Sequence, residues 1–223
     1  MKLEQLLEGV EYTLVQGDLS TEVRDIVYDS RKVQIGVAFV CIVGTTRDSH
    51  DYAADVVTSG AGVLVIQHKL EETPQGVTVI QVPSSRRALA LMSCNFFGNP
   101  AKRMTMIGVT GTKGKTTTAH MIRSVMLAAG RSCGIIGTNG VAYGQVGHTL
   151  INTTPESYEL QKMFSEMLAA GCDSVVMEVS SQGLMMDRVT GIHYDVGVFT
   201  NLYPDHIGGP GEHASFEEYR AWK

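Results

Sequence analysis

The stretch Gly108-Val-Thr-Gly-Thr-Lys-Gly-Lys-Thr-Thr117 decides the fold of this chain. It closes an apolar β-type segment (Met104, Met106, Ile107, Val109) and opens a helical one. In that context a glycine-rich loop directs backbone N–H groups and a helix N-terminus at one anion, which makes it a phosphate cradle. We expect Lys115 to neutralise the β- and γ-phosphates of a nucleotide and the Thr116 hydroxyl to hold Mg²⁺. The common pattern G-x-x-x-x-G-K-[ST] fails at one position, because Val109 stands where its first glycine belongs, so this is a variant phosphate loop.

The composition predicts a soluble globular protein. With 223 residues, 43% of them hydrophobic and 18% charged, the chain is long enough for two domains of about 100 residues each, or for one larger domain. A net charge of −5 without a basic stripe argues against a nucleic-acid partner. The N-terminus has no charged region followed by an apolar core, and no apolar run is long enough to span a bilayer. We therefore expect a cytoplasmic protein without membrane insertion.

The cysteines carry no recognisable chemistry. They lie far apart, with neither C-x-x-C nor zinc-ligand spacing: Cys41, Cys94, Cys133 and Cys172. In a reducing compartment this spacing favours buried free thiols.

The order of the predicted elements indicates an α/β fold with two domains. Short β-type runs alternate with helical stretches in the first hundred residues: 38–43, 51–59, 62–66 and 77–82. Ser84 and Ser85 are placed to cap a helix that continues to Phe97, and Gly98 with Pro100 beyond it is a typical stop signal. We predict a small N-terminal α/β domain (1–100) and a mainly parallel α/β domain (101–223) that contains the phosphate loop.

The second half continues the same alternation. It predicts a helix over 116–129, a buried run at 133–136, a glycine-rich hairpin over 137–151 and buried strands at 174–179 and 196–200. Between them, apolar side chains recur at helical spacing: Leu160, Met163, Phe164, Met167 and Leu168. This methionine and phenylalanine stripe is typical of core packing.

Unusual polar groups follow the predicted strands, where ligands collect in open α/β sheets. Glu178 ends an apolar run and would place a carboxylate near the Thr116 metal position. Asp205 and His206 follow another strand towards the same edge, and His206 is equally readable as a metal ligand or a structural group. The segment 152–156 puts an amide and two hydroxyls ahead of a helix, which by itself predicts only an N-cap.

Together these pieces resemble one family, the Mur ligases, and within it the branch that adds the third amino acid of the peptidoglycan stem peptide. The matching segments are Gly-Val-Thr-Gly-Thr-x-Gly-Lys-Thr-Thr (108–117), Thr-Thr-Pro-Glu-Ser (153–157), Met-Glu-Val-Ser-Ser (177–181), Phe-Thr-Asn-Leu (199–202), Asp205-His206 and Asp29-Ser30-Arg31. Their order and spacing agree along nearly the whole chain.

The resemblance implies an ATP-dependent ligase of cell-wall synthesis. The γ-phosphate of ATP would pass to the terminal carboxylate of UDP-MurNAc-L-Ala-D-Glu, and the incoming amine would convert the acyl phosphate into an amide. The resemblance assigns ATP binding to Gly111, Thr112, Lys113, Gly114, Lys115, Thr116 and Thr117. It assigns one Mg²⁺ to Thr116 and Glu178 and a second metal to Glu178 and His206. A carbamylated lysine inside a helix shares that second metal in the family, and Lys223 is the matching position.

The family's substrate contacts also have matching positions. For the uridine-diphosphate part they are Tyr28, Ser30, Thr45, Thr46 and Arg47. For the muramoyl-peptide part they are Asn152, Thr153, Thr154, Ser180 and Arg188. The Arg188 guanidinium suits a carboxylate or a diphosphate because its fork donates two parallel hydrogen bonds. Near Ser30, ordinary turn chemistry capped by Asp29 is a competing interpretation.

The chain departs from the family in sequence and in length. Gln182 replaces a common histidine, Met186 a glutamine, and Lys113 an asparagine, and Ile-Gly-Gly-Pro-Gly (207–211) replaces the usual segment after Asp-His. Mur ligases have three domains, and this chain matches the first and about half of the ATPase domain, so the 223 residues alone are expected to be inactive.

Other functions stay open at this point. The chain is also compatible with a non-catalytic nucleotide- or UDP-sugar-binding module, or with a relative that uses another acceptor, such as a folylpolyglutamate synthetase. The third amino acid is L-lysine or meso-diaminopimelate. A GTPase or a protein kinase is disfavoured, because neither a base-reading Asn-Lys-x-Asp motif nor a kinase catalytic loop occurs.

Overall fold

The structure is a computed structural model that describes residues 1–44, 47–205, 207–209 and 212–223. The chain divides into two compact units, Met1–Gly98 and Asn99–Lys223. Both combine a sheet with helices, so the predicted α/β class is confirmed. Among the described residues, no helix is both long enough and apolar enough to cross a membrane.

The N-terminal unit contains a five-stranded sheet in the order β1-β5-β4-β3-β2. Its strands are β1 (Thr13–Gln16), β2 (Ile26–Val27), β3 (Ala38–Val40), β4 (Val63–Ile66) and β5 (Thr78–Gln81). β2 to β5 pair in parallel, and β1 joins β5 antiparallel. Every residue of β3 and β4 is buried, which explains why these strands are continuous apolar runs in the sequence.

Three α-helices accompany this sheet within the described residues: α1 (Leu3–Leu6), α2 (Ala53–Thr58) and α3 (Ser85–Phe96). The Ser84 hydroxyl accepts the N–H of Arg87, so the predicted cap of α3 is confirmed. Two expectations are wrong in detail. The strand predicted over 38–43 ends at Val40, and the helix predicted over 51–59 is split into a 3₁₀ turn, Ser49–Tyr52, and α2. The Asp48 carboxylate caps the 3₁₀ turn by accepting the N–H of His50, so this segment begins before the predicted helix.

The C-terminal unit contains a six-stranded sheet in the order β11-β6-β10-β7-β8-β9. Its strands are β6 (Thr105–Thr110), β7 (Cys133–Gly137), β8 (Gly140–Tyr143), β9 (Val146–His148), β10 (Ser174–Glu178) and β11 (Val196–Phe199). β11, β6, β10 and β7 pair in parallel, whereas β8 and β9 extend the sheet as an antiparallel hairpin. The carboxyl ends of β6, β7 and β10 therefore lie side by side.

Helices lie against this sheet and close its core. They are α4 (Lys115–Ala128), α5 (Ser157–Ala169), α6 (Ser181–Met185) and α7 (Phe216–Ala221). The predicted core stripe of α5 is confirmed, because Leu160, Phe164 and Met167 are fully buried against residues of β6 and β10. Lys223, the last residue of the sequence, follows α7 by two positions. All four cysteines are free and buried, as predicted.

Candidate active site

The phosphate loop connects β6 to α4, as the sequence predicts. Two of its glycines are required by the backbone, because Gly111 has φ +132° and Gly114 has φ +84°. A Cβ at Gly111 would also collide with the Thr200 hydroxyl and the carbonyl of Asn201. Gly114 is the N-cap of α4, and no side chain of the described residues caps this helix. The first N–H groups of α4 are thus left for a ligand.

Lys115 is folded back onto the loop. Its ammonium donates to the carbonyls of Gly111 (2.9 Å) and Thr112 (3.0 Å). Burial lowers the pKa of this ammonium, although Glu178 and Asp205 oppose the shift. Because the carbonyls are neutral partners, an incoming phosphate can take the ammonium from them at a gain in electrostatic energy.

Glu178, at the end of β10, is a buried carboxylate with only 1% of its surface exposed. The Thr116 hydroxyl donates to its Oε2 (3.0 Å), and the Thr138 N–H donates to its Oε1 (2.9 Å). The Thr138 hydroxyl also donates to Oε2 (3.2 Å). Within the described part of the chain, no Lys, Arg or His forms an ion pair with Glu178. A buried negative charge held only by neutral donors calls for a cation.

The phosphate loop, Glu178 and the predicted acceptor residues line one cavity of about 550 Å³. Its walls include Thr112, Lys113, Gly114, Lys115, Thr116, Thr138, Asn152, Thr153, Thr154, Glu178, Ser180 and Arg188. Two segments that are separate in the sequence, 112–116 and 152–154, therefore meet at the carboxyl edge of the sheet.

The acceptor residues differ in what they offer to this cavity. Asn152 is exposed and Thr153 is half-buried. Thr154 is buried, and its hydroxyl is used within the protein: it donates to the carbonyl of Glu178 (3.0 Å) and accepts the N–H of Ser180 (2.9 Å). The Ser180 hydroxyl accepts the N–H of Gly183 and caps α6. Thr154 and Ser180 thus shape the wall through bonds inside the protein.

Most hydrogen-bond donors of the Arg188 guanidinium are already used within the protein, so fewer remain for a ligand than the sequence predicts. Its guanidinium forms an ion pair with Glu156 (2.8 Å) and donates to the carbonyl of Thr154 (3.0 Å). Only the Nε atom, which is buried, has no hydrogen-bond partner among the described residues. Two parallel bonds to a ligand would require Arg188 to exchange its bond to Glu156.

The segment after β11, residues 200–205, is hydrogen-bonded to the phosphate loop. The Thr200 hydroxyl and the Asn201 amide both donate to the carbonyl of Lys113, at 2.8 and 3.0 Å. The exposed Lys113 ammonium donates to Asp205 (2.8 Å), so the residue that departs from the family pattern is tied to the predicted Asp-His segment. The Thr112 hydroxyl is hydrogen-bonded to Tyr219 (2.8 Å) and is buried, whereas Thr117 is exposed on the first turn of α4.

Lys223 reaches the base of the same loop. Its ammonium donates to the carbonyl of Gly111 (2.9 Å) and to the Thr110 hydroxyl (3.1 Å). Burial, and then the charge of Lys115, lower the pKa of this ammonium to about 8. His206, the other predicted group of the second metal, lies outside the described residues.

The predicted uridine contacts lie in the N-terminal unit. Tyr28 follows β2 and is half-buried, Ser30 opens the 3₁₀ turn Ser30–Lys32, and Arg47 is exposed. The Asp29 carboxylate accepts the N–H of Arg31 and forms an ion pair with its guanidinium (2.8 Å), so the turn chemistry proposed as an alternative is present. Thr45 and Thr46 lie outside the described residues.

Sequence reasoning missed two groups of side chains. Thr138 comes directly after β7, and the rule that applied to Glu178 at the end of β10 would have found it. In the N-terminal unit, potential ligand atoms of Asp48, His50 and His68 lie within 4.8 Å of one another. His50 Nε2 accepts the N–H of Gln67 (2.9 Å), which places the ring proton on Nδ1 facing Asp48. His50 therefore has no lone pair left for a metal, and this cluster is a structural network.

Comparison with known proteins gives an independent view of the chain. A family model described as the Mur ligase middle domain matches residues 109–223. A UDP-N-acetylmuramoyl-L-alanyl-D-glutamate--2,6-diaminopimelate ligase of Clostridium perfringens is 43% identical over 219 residues, which cover 98% of this chain and 44% of the relative. The ligase of the same name from Geobacillus thermodenitrificans is 43% identical over 220 residues, covering 99% of this chain and 44% of the relative. The chain thus spans less than half the length of these curated relatives.

Solved structures agree on the fold. The structure of a UDP-N-acetylmuramoyl-L-alanyl-D-glutamate--2,6-diaminopimelate ligase matches with a TM-score of 0.81 at 22% identity, covering 100% of this chain and 44% of that one. A MurF ligase from Thermotoga maritima in complex with ADP matches with a TM-score of 0.57 at 23% identity, covering 92% and 43% of the two chains. Since the family model also spans just over half of the chain, the chain belongs to the Mur ligase family.

Proposed function

We propose that the protein is an ATP-dependent ligase that joins 2,6-diaminopimelate to UDP-MurNAc-L-Ala-D-Glu in peptidoglycan synthesis. The observation that carries this proposal is the single cavity lined by both the phosphate loop and the segment 152–154, with Glu178 in its wall. The amino acid and the acceptor are those in the names of the relatives at 43% identity. Of the two amino acids that the sequence left open, we therefore propose diaminopimelate over L-lysine.

For ATP, the proposed contacts are the uncapped N-terminus of α4 and Lys115. The N–H groups after Gly114 direct partial positive charge at the β- and γ-phosphates. Lys115 would exchange the carbonyls of Gly111 and Thr112 for the phosphate oxygens. A MurF ligase with the same fold was solved in complex with ADP, which supports a nucleotide as the ligand that we propose here.

For Mg²⁺, the proposed ligands are Thr116 and Glu178. Their oxygens lie 3.0 Å apart and are of the hard type that Mg²⁺ prefers. Among the described residues, no Lys, Arg or His forms an ion pair with the Glu178 carboxylate. An ion held by these residues would neutralise charge on the transferred phosphoryl group. His206 stays a proposed ligand of a second metal, together with Glu178.

The acceptor would lie against the opposite wall of the cavity. Asn152 and Thr153 are the accessible polar groups there, while Thr154, Ser180 and Arg188 fix the shape of the wall. In this proposal the terminal carboxylate of the acceptor would point towards the phosphate loop. Transfer of the γ-phosphoryl group gives an acyl phosphate and ADP, and attack by the amine then forms the amide and releases phosphate. Proximity of the two reactants is the main contribution of the cavity.

Two further roles are proposed on the family pattern. Tyr28, Ser30, Thr45, Thr46 and Arg47 would bind the uridine-diphosphate part, which makes 1–100 the substrate domain and 101–223 the first half of the ATPase domain. Lys223 is the proposed site of carbamylation, supported by the lowered pKa of its buried ammonium, since only the neutral amine reacts with carbon dioxide. Carbon-13 NMR of the full-length protein under labelled carbon dioxide tests this: a carbamate signal that disappears in Lys223→Ala supports the role, and an unchanged spectrum contradicts it.

Phosphate release by the full-length protein tests the proposed function. We expect release only when ATP, Mg²⁺, UDP-MurNAc-L-Ala-D-Glu and diaminopimelate are all present. Lys115→Ala should abolish it, whereas Lys102→Ala, which removes an exposed lysine of the same unit, should leave it unchanged. Release that needs L-lysine instead would contradict the proposed amino acid. Absence of release with nucleotide binding intact would overturn the ligase and favour a binding module.

A further inference from the structure

We propose that Thr138 is a positioning residue that couples acceptor binding at Thr153 to cation binding at Glu178 and Thr116. The inference rests on the proposed function, because it takes the two walls of the cavity as acceptor and metal–nucleotide sites. Its basis is a hydrogen-bonded chain of four side chains, Thr153–Thr138–Glu178–Thr116, that crosses the cavity wall from one site to the other.

The direction of the hydrogens in this chain follows from its chemistry. An ionised carboxylate only accepts, so the hydroxyls of Thr138 (3.2 Å) and Thr116 (3.0 Å) both donate to Glu178 Oε2. A hydroxyl has one hydrogen, so Thr138 must accept in its contact with Thr153 (3.0 Å). The Thr153 hydrogen is therefore directed at Thr138 and is engaged before any ligand binds.

The backbone makes this chain rigid at its centre. The Thr138 N–H fixes the other carboxylate oxygen, Oε1, at 2.9 Å. Gly137 precedes it, and a Cβ there would occupy the position of Glu178 Oε1, so the carboxylate packs directly on the β7 backbone. β7 and β10 are neighbouring parallel strands, with Ile136 opposite Met177. Because the β7 backbone holds the carboxylate on one side, we expect changes in the hydrogen-bonded chain to be transmitted through the hydroxyls.

Binding of an anionic group at Thr153 changes the hydrogen bonds that link Thr153 to Glu178. A carboxylate or phosphate oxygen needs the Thr153 hydrogen, and this takes it away from Thr138. Hydrogen bonds in a chain strengthen one another, so Thr138 without its donor becomes a weaker donor to Glu178. The carboxylate then keeps more of its negative charge and binds a divalent cation more tightly. By linkage, the cation strengthens binding of the anionic acceptor by the same factor.

The experiment measures Mg²⁺ affinity of the full-length protein by calorimetry at saturating non-hydrolysable ATP analogue. Titrations with and without UDP-MurNAc-L-Ala-D-Glu, in the absence of the amino acid, give the coupling. We expect the acceptor to tighten Mg²⁺ binding by about fivefold. Thr138→Val removes the hydroxyl but keeps the N–H and the branched shape, and should reduce the coupling to less than about twofold, with both ligands still bound. Thr138→Ser should retain it.

Controls separate the hydroxyl from packing. Thr138→Ala should lose the coupling in the same way as Thr138→Val. It therefore provides the same test if the valine variant does not fold. Thr105→Val, at the opposite end of β6, should retain the full effect. Coupling that survives removal of the Thr138 hydroxyl, or its absence in the wild-type protein, overturns the inference alone. If the acceptor does not bind the wild-type protein at all, the proposed function fails and the inference with it.

Discussion

Asp48 and Glu178 are both carboxylates surrounded by hydrogen-bond donors, but their donors differ in kind. Asp48, in the N-terminal unit, accepts the N–H of His50 (3.0 Å), the His50 ring and His68 Nε2 (2.8 Å). Glu178, in the C-terminal unit, accepts from two threonine hydroxyls and one backbone amide among the residues that the structure describes. Asp48 thus has an imidazole that can carry the compensating positive charge, and Glu178 has none among the described residues.

We interpret the difference as one between a structural carboxylate and the carboxylate that we propose as a metal ligand. Burial raises the pKa of Asp48, but the hydrogen bonds from His50 and His68 outweigh it and hold this pKa at about 2. The network joins the 3₁₀ turn Ser49–Tyr52 to the end of β4. At Glu178 the described residues form no ion pair, and only the nearby charge of Lys115 acts on the carboxylate, which lines the cavity where we propose that a metal–nucleotide complex binds.

The largest effect is expected for Glu178→Gln. The substitution keeps the shape of the side chain and removes its charge, so phosphate release should fall by about 100-fold or more because Mg²⁺ loses a ligand. The melting temperature without ligands should not fall, since a buried charge without an ionic partner is removed. Activity within tenfold of wild type would contradict the role of Glu178.

Gly137→Ala tests whether the carboxylate has to pack on the β7 backbone. The added Cβ would occupy the position of Glu178 Oε1, so the side chain must move and Mg²⁺-dependent activity should fall by more than tenfold. The strain should lower the free energy of unfolding by about 1–3 kcal/mol. Gly197→Ala is the matched control, because nothing lies within 4 Å of a Cβ at that strand position. Equal effects of the two substitutions would refute this packing argument.

Asp48→Asn should lower stability without affecting ligand binding, the opposite of what we expect for Glu178→Gln. The N-terminal unit should lose about 1–2 kcal/mol of stability, because donors of both histidines lose a charged acceptor, while Mg²⁺–nucleotide binding stays unchanged. In the wild-type protein the Asp48 contribution is present above the usual carboxyl pKa near 4 and is lost as the pH falls towards 2. Chemical denaturation between pH 2 and pH 6 measures it. A wild-type-like acid profile of Asp48→Asn would contradict the assignment.

The smallest effect concerns His68. Its hydrogen bond to Asp48, and then that to the Lys69 carbonyl, raise the pKa of the imidazole above 6.5. The stabilisation is therefore fully present below pH 6.5 and is lost as the pH rises through the folded-state pKa. Because His68 is largely exposed, we expect it to contribute less than about 1 kcal/mol. Proton NMR titration should show the raised pKa in the wild-type protein and a lower one in Asp48→Asn, and equal values would contradict the ion pair.

The features that the sequence predicted correctly depend on local patterns. The contacts that it missed depend on the alignment of segments that are far apart in the sequence. The phosphate loop, the cap of α3 and the stripe of α5 depend on residues within a few positions of one another. The contact between Thr138 and Glu178 depends on how β7 and β10 align across forty residues of chain, which no local pattern encodes. Arg188 shows the same limit, because its partner Glu156 lies on another segment and uses the fork that the sequence assigned to substrate.

Binding of Mn²⁺, as a spectroscopic substitute for Mg²⁺, tests the central claim most directly. Electron paramagnetic resonance of the full-length protein with ADP counts the bound ions in wild type, Glu178→Gln and Asp48→Asn. We predict that Glu178→Gln loses ADP-dependent Mn²⁺ binding and that Asp48→Asn binds the ion as the wild-type protein does. Full binding by Glu178→Gln, or loss of binding in Asp48→Asn, would contradict the distinction between a carboxylate compensated by its own chain and one compensated by a ligand.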